Sequence, residues 1–479
     1  MTPWAQALLR GLCFAALVLA ALALDRPAAL RPALVPAGAL AALALLGLLQ
    51  AAPLPAGLIA ALSPEHASLE RQAAELAGEP SVPRLTLSAA ATRSAALGWA
   101  AAAAAFLAAA VAGRHRELRR WLAAALVAGA LFQVLFGARD WFARARSLWG
   151  VELHSSAARL RGTFVNPNHL ATYLEMALPV VFAWGWWAAR RAADEPRPER
   201  RLLLLAPPAL LWLTVFAGLS FTGSRGGLLA AVAAVTVQGF LLARARGRWW
   251  VAPLGALAAL AGLAVVASVG LREGGLGRLL GTSVTDVSWG ARLREYGVAL
   301  EIWGRFPATG VGLGTFRDAF PLAQPAGLQG TWWHPHSSLL EVLVTAGPLG
   351  VALVAAGLVA ILRRLGTVLN EGGRSEDRAA ALAAFGVLAS LGLHESFDFG
   401  LTMPGNAVTL AVLLGSAVAA RTRARSAQLD RAGEDLAAAQ VLELQDVEPE
   451  PERHRHPKRR RRSGQRPDRK SAHGRAVQP

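Results

Sequence analysis

Lysine is almost missing from this chain. Lys458 and Lys470 are the only two, both near the carboxyl terminus, so the basic residues before them are all arginine. Cysteine occurs once, as Cys13, which excludes an intramolecular disulfide and any metal site built from clustered cysteines. Charge is sparse too: 17% of the 479 residues are charged, against 54% hydrophobic. Several windows carry no charge at all, among them 94–113, 121–138, 202–224, 226–243 and 249–271. Each is long enough to cross a hydrocarbon layer about 30 Å thick as a helix. No cleaved leader is indicated, because residues 1–24 place only Arg10 ahead of their apolar run and read better as a first span. The net charge of +17 invites nucleic acid as a partner. A coding bias accounts more simply for both the arginine and the alanine excess, so no nucleic acid is expected.

What is present is a series of apolar runs. They place eleven spans near 4–24, 33–52, 94–113, 121–138, 169–189, 202–221, 226–243, 249–271, 337–362, 379–396 and 404–420, an all-α polytopic transmembrane bundle of about 11–12 spans. Arginine density orients them. Loops 25–32, 114–120, 190–201, 244–248 and 363–378 hold 18 arginines in 48 residues, whereas the alternate set (53–93, 139–168, 222–225, 272–336 and 397–403) holds 15 in nearly 150. The first set is expected in the cytoplasm and the second outside. The chain then divides into spans and an outer loop (1–93), a first membrane part (94–271), a large outer loop (272–336), the last spans (337–420) and a tail (421–479). The tail is acidic between Glu434 and Glu452 and basic from His454 to Arg462. It reads as disordered, with its basic run set against anionic lipid on the cytoplasmic side.

Within the outer loops, residues 65–77 read as a helix lying on the surface, and Ser288–Trp303 as an amphipathic helix with Arg292, Tyr296 and Ala299 at helical spacing. The run Gly310-Val311-Gly312-Leu313-Gly314 lacks the strand–helix setting of a dinucleotide site.

Ionisable groups collect where outer loops meet spans. His336 follows Trp332-Trp333-His334-Pro335 and precedes Ser337-Ser338 and Glu341. An imidazole there is either an interfacial anchor beside the tryptophans or a group exchanging protons near neutral pH. Ser337 and Ser338 suit a helix cap, and Gly347 and Gly350 suit close approach of another helix. His334 and His336 could share a metal, but no third ligand of matching type stands nearby, so no metal is expected. Arg225, in a turn between two uncharged runs and flanked by Gly223, Gly226 and Gly227, is either a snorkelling charge or a fork for phosphate oxygens. Arg292 and Arg294 follow on the loop helix. His394-Glu395-Ser396-Phe397-Asp398 reads as a buried hydrogen-bond cluster, and Asn166, Asn168 and His169 as the turn that starts a helix.

The sequence His336-Ser337, nine residues and Gly347-x-x-Gly350 resembles the histidine signature of the O-antigen ligase and polysaccharide polymerase superfamily. Gly162–Ala171, Thr222–Gly227 and the stretch from Arg292 to Phe306–Phe316 resemble it at their usual places, so the likeness covers roughly residues 90–420. It implies a membrane glycosyltransferase of the GT-C-like type, independent of metal and of any cofactor, in a bacterial inner membrane with its site facing the periplasm. Such an enzyme takes a glycan from an undecaprenyl-diphosphate carrier and passes it to a hydroxyl of a lipid, glycan or protein acceptor. The resemblance gives Arg225 and Arg292 the diphosphate and His336 the role of general base, or of orienting the acceptor. His334, Asn168, Arg294, His394 and Asp398 are secondary candidates. A ligase stands narrowly ahead of a polymerase, which uses the same donor. A transporter of lipid-linked sugars is the rival class, but the two related halves with broken helices expected of one are not seen.

Overall fold

A computed structural model describes residues 3–422 apart from 26, 81, 144, 146, 149–150, 153–158, 248–286, 327–329 and 331. The expected span at 249–271, the first part of the large loop and the tail from 423 onward lie outside the described residues. The chain divides into two units, 1–426 and 427–479, and every described helix belongs to the first.

These helices are α1 (Pro3–Leu22), α2 (Arg31–Gln50), α3 (Ala56–Leu62), α4 (Pro64–Ala77), α5 (Ala89–Ala112), α6 (Arg116–Phe142), α7 (Pro167–Ala193), α8 (Pro198–Phe221), α9 (Arg225–Ala245), α10 (Val287–Arg305), α11 (Phe316–Ala319), α12 (Ser338–Glu371), α13 (Ser375–His394) and α14 (Pro404–Val418). A helix lies on each of the ten expected spans within the described residues. Seven of them (α1, α2, α5, α6, α8, α9 and α12) are long and apolar enough to cross a membrane. The helix α7 runs 27 residues, about 40 Å, but carries Glu175 inside.

Alanine, read from composition as a coding bias, has a packing role. In α5 Ala101 to Ala105 are all buried, and the helix packs against α1, α2 and α14. A Cβ on Gly415 of α14 would overlap the Phe106 carbonyl of α5. Helices of small side chains bring their backbones close, which is how membrane helices gain van der Waals contact when lipid is as apolar as the core.

The three helices α7, α9 and α13 are locked by polar atoms. Gln238 of α9, fully buried, donates from Nε2 to the Pro179 carbonyl of α7 (2.9 Å) and the Leu382 carbonyl of α13 (3.1 Å). Pro179 has no N–H, so the Glu175 carbonyl loses its helical donor. The Ser390 hydroxyl reaches that carbonyl at 3.4 Å. The result is an antiparallel α7–α13 pair with α9 across it.

The long helix α12 is broken. Gly347 has φ 66 and ψ −170, and Pro348 follows. The break releases the carbonyls of Val344 and Thr345. Val311 N–H donates to Val344 (2.9 Å) and Gly312 N–H to Thr345 (3.1 Å), while Gln50 Nε2 adds a bond to Thr345 at 3.0 Å. Gly347 and Gly350 therefore do not receive another helix. What approaches Gly347 is the turn Ala308–Gly310: a Cβ at Gly347 would lie 2.6 Å from the Ala308 carbonyl. A Cβ on Gly350 would meet Ala346 of its own distorted turn.

Around this junction a second apolar core forms from Val298, Ala299, Ile302, Phe306, Val311, Phe316, Phe320 and Val344, with Leu69, Leu87 and Trp332 beside it. The helix α4 is docked on it rather than lying free on the surface. Glu65 pairs with Arg305, and His66 is buried with its ring 4.6 Å from that of Phe306 and Nδ1 2.8 Å from Ser63 Oγ. The two sets of loops separated by arginine density gather at opposite ends. One end joins Leu87 to Val311, Asn168 to Asp398 and Ser338 to Glu395. The other joins Arg119 to Asp377, Arg120 to Glu376 and Arg364 to the Val418 carbonyl.

Two outcomes are expected. Gly347→Ala, which combines a left-handed φ with the Ala308 contact, costs about 1–3 kcal/mol and lowers the thermal midpoint in detergent. Gly366→Ala, on the same helix with nothing within 4 Å, leaves the midpoint unchanged or raises it. Burial pushes the His66 imidazole down to about 4, against the Val311 carbonyl and Glu65, which favour the proton. The unfolded state therefore takes up this proton first. The contribution of His66 is full above about pH 6.5 and is lost as the pH falls toward 4, which hydrogen exchange in α4 reads directly.

Candidate functional site

The site lies at the end where α7, α9 and α12 begin and α13 finishes. The turn before α12 sets it. The residue before Pro335 is held extended, and His336 then takes φ 44, the sole positive φ of any non-glycine residue among those described. That conformation costs an L-residue about 1–2 kcal/mol. Ser337 caps α12, its hydroxyl accepting the Leu340 N–H. Ser338 N–H donates to the carbonyls of Glu395 (2.9 Å) and Asp398 (3.2 Å), tying the start of α12 to the end of α13.

The His336 Nδ1 stands 2.8 Å from one carboxylate oxygen of Glu295 and 3.1 Å from the other. Glu295 is fully buried, whereas the His336 side chain keeps 28% of its surface exposed. Burial pushes the Glu295 carboxyl above the usual carboxylate range, against His336, Arg292 and His334, which favour its charge. With Nδ1–H donating to Glu295, Nε2 is left as an acceptor. The ring is clamped edge-on between Trp332 (5.5 Å) and Phe399 (4.9 Å). Tyr296, next to Glu295, holds its hydroxyl within reach of the His336 carbonyl (3.2 Å) and the Ser396 carbonyl (3.3 Å).

Arg292 lies one turn before Glu295 on α10, with a nitrogen 3.8 Å from Asp398 Oδ2. Asp398 also accepts from Asn168 Nδ2 at 2.9 Å. Asn168 in turn accepts from Arg159 at 2.7 Å, and Arg159 Nε donates to the Thr222 carbonyl at 2.6 Å. Arg225 is the first residue of α9, whose cap is Ser224 accepting the Gly227 N–H. That turn is pressed on the end of α13: a Cβ at Gly226 would sit 2.5 Å from Phe397 Cε2 and 2.8 Å from His394 Nε2. Arg292, Asn168 and Asp398 thus form one connected set of contacts, Glu295 links His336 to the same helix as Arg292, and Arg225 begins its helix at this end of the bundle.

The secondary candidates separate. His334 pairs with Glu341 on α12 at 2.7 Å and stacks on Phe399 at 4.7 Å, so the two histidines turn to different carboxylates. Among the described residues no group of three or more His, Cys, Asp or Glu side chains is placed to hold a metal ion. Arg294 is on the exposed face of α10. His394 is 1% exposed and bonds both oxygens of the fully buried Glu175 at 3.0 Å. Asn166 caps α7 by accepting the Asn168 N–H.

Four residues escaped the sequence: Glu295, Glu175, Arg159 and Phe399. Glu175 had a signal, an acid inside an otherwise uncharged stretch. Glu295 stood among charged neighbours with nothing to single it out, and Phe399 gathers the rings of His169, His334 and His336, which spacing does not show.

The Glu175–His394 pair allows a direct test. Glu175→Leu takes the hydrogen-bond partner from His394 Nδ1 in the core and is expected to cost about 3–5 kcal/mol. Glu175→Leu combined with His394→Leu recovers most of it, as read by thermal unfolding in detergent.

Residues 209–355 match the sequence model of a family described as O-antigen ligase. The matched stretch includes Arg225, Arg292, Arg294, Glu295, His334 and His336, while Asn168, Glu175, His394 and Asp398 lie outside it. No curated protein is similar enough to match the chain. Over residues 209–355 the chain is thus similar to the O-antigen ligase family, and its long apolar helices make it a polytopic helical membrane protein.

Proposed function

We propose that this protein transfers a glycan from an undecaprenyl-diphosphate carrier to an acceptor hydroxyl, at the end of the bundle that holds His336, and that this end faces the periplasm of a bacterial inner membrane. The observation that carries the reading is the His336–Glu295 contact. It presents a partly exposed imidazole with Nδ1 engaged by a buried carboxylate and Nε2 left to take a proton.

In the reaction, His336 Nε2 removes the acceptor hydroxyl proton as that oxygen attacks the anomeric carbon. The bond from the sugar to the diphosphate breaks, and its electron pair goes to the phosphate oxygen. Glu295 stabilises the imidazolium that forms. Negative charge grows on the leaving diphosphate, so cations fixed beside it favour the transition state over the bound substrate. Arg225 and Arg292 take that role. Arg292 is steered by Asp398, which at 3.8 Å orients the guanidinium without using its N–H donors in a close bond. The ligase is kept ahead of the polymerase, which differs only in taking a second lipid-linked glycan as acceptor.

Transfer from a lipid-diphosphate glycan by the purified chain tests this. His336→Ala, Arg225→Ala and Arg292→Ala are each expected to slow it about 100-fold or more, with the thermal midpoint near that of the parent. Glu295→Gln is expected to lower the turnover more than the donor KM, since it acts through His336. Parental rates in a folded His336→Ala variant would overturn the assignment.

A further inference from the structure

The end of the bundle opposite His336 carries a cleft of its own. Its volume is about 320 Å3, and Arg190, Arg191, Asp194, Gly373, Ser375 and Arg378 line it. The two helices that supply it are the antiparallel pair α7 and α13, from the last turns of one and the first turn of the other. Three guanidiniums face one carboxylate, so the cleft is cationic. The neighbouring acids do not neutralise it: Glu376 is held by Arg120 and Asp377 by Arg119, each at 2.5 Å. Arg378 is braced from behind, its Nε donating to the Gly372 carbonyl at 3.1 Å.

We propose that this cleft binds the phosphate of an anionic phospholipid headgroup. The space holds the equivalent of about ten waters, enough for a phosphate and a glycerol. Arginine forks match phosphate oxygens two at a time. The Ser375 hydroxyl and the first-turn N–H groups of the 20-residue α13 add donors where the helix dipole is positive. Asp194 is suited to a headgroup hydroxyl.

The surroundings favour a lipid over a soluble phosphate. Arg190 lies over Trp186 (5.7 Å) and Arg191 over Trp187 (4.5 Å), one turn nearer the middle of α7. Tryptophans at that level mark the boundary between hydrocarbon and headgroups, where a lipid phosphate sits. The cleft is also separated from His169, at the start of α7, by most of a helix about 40 Å long. It is therefore a different site from the one proposed for transfer, and its test needs no glycan.

The experiment uses the full chain, reconstituted in phosphatidylcholine vesicles doped with phosphatidylglycerol, then extracted and weighed by native mass spectrometry. The parent is expected to retain phosphatidylglycerol in preference to phosphatidylcholine. Replacing Arg190, Arg191 and Arg378 by Gln is expected to weaken retention about fivefold for each arginine, with the basic tail unchanged in both proteins. Replacing the same three by Lys keeps the charge and part of the retention. Ser375→Glu, which sets a carboxylate in the cleft and leaves all three arginines in place, lowers retention should the Gln variant fail to fold. Inorganic phosphate is the competing arm: complete displacement of the lipid at low millimolar phosphate would assign the cleft to a soluble anion and overturn the proposal. Equal retention by parent and variants would overturn it as well.

Discussion

Two carbonyls without helical donors, on Val344 and Thr345, govern how this molecule is put together. A proline and a left-handed glycine break α12 just beyond them, and in hydrocarbon such groups cost several kcal/mol each unless something donates to them. The donors come from Val311, Gly312 and Gln50. Meeting that demand pulls the glycine-rich segment onto α12, and α10 with it. Arg292, Glu295 and Tyr296 ride on α10, so the repair of one helix break also brings a buried acid to His336.

The same constraint accounts for the glycines of that segment. Gly310 and Gly312 have positive φ, and a Cβ on either would strike Thr345 or Thr86. A backbone that must lie against another backbone has no room for side chains. Glycine here serves close approach and hydrogen bonding rather than phosphate binding.

Charge in the molecule is handled by pairing. Glu175 meets His394, Glu295 meets His336, Asp398 sits among Asn168, Arg292 and His394, and Arg119 meets Asp377. An isolated charge at such depth would be expensive, and removing one partner of a buried pair exposes that expense. The pairs differ in solvent access. His394 and Glu175 are closed off, which suits a fixed strut between α7 and α13. His336 is partly open, which leaves a nitrogen for chemistry.

Sequence alone determined the elements and their sides. Apolar runs bounded by arginine gave a helix at each described span, because length and hydropathy are local and the bilayer thickness is fixed. Alternation of arginine-rich and arginine-poor loops sorted Arg225, His336 and Asp398 to one end before any coordinate. The caps at Ser337 and Asn166 were legible for the same local reason. Only the tertiary structure decided which acid meets which histidine. Glu295 and His336 are 41 residues apart, and Glu175 and His394 are 219 apart. No periodicity spans such distances. Their pairing follows from where a broken helix finds its donors and how the bonds of Gln238 and Ser390 hold α7, α9 and α13 together.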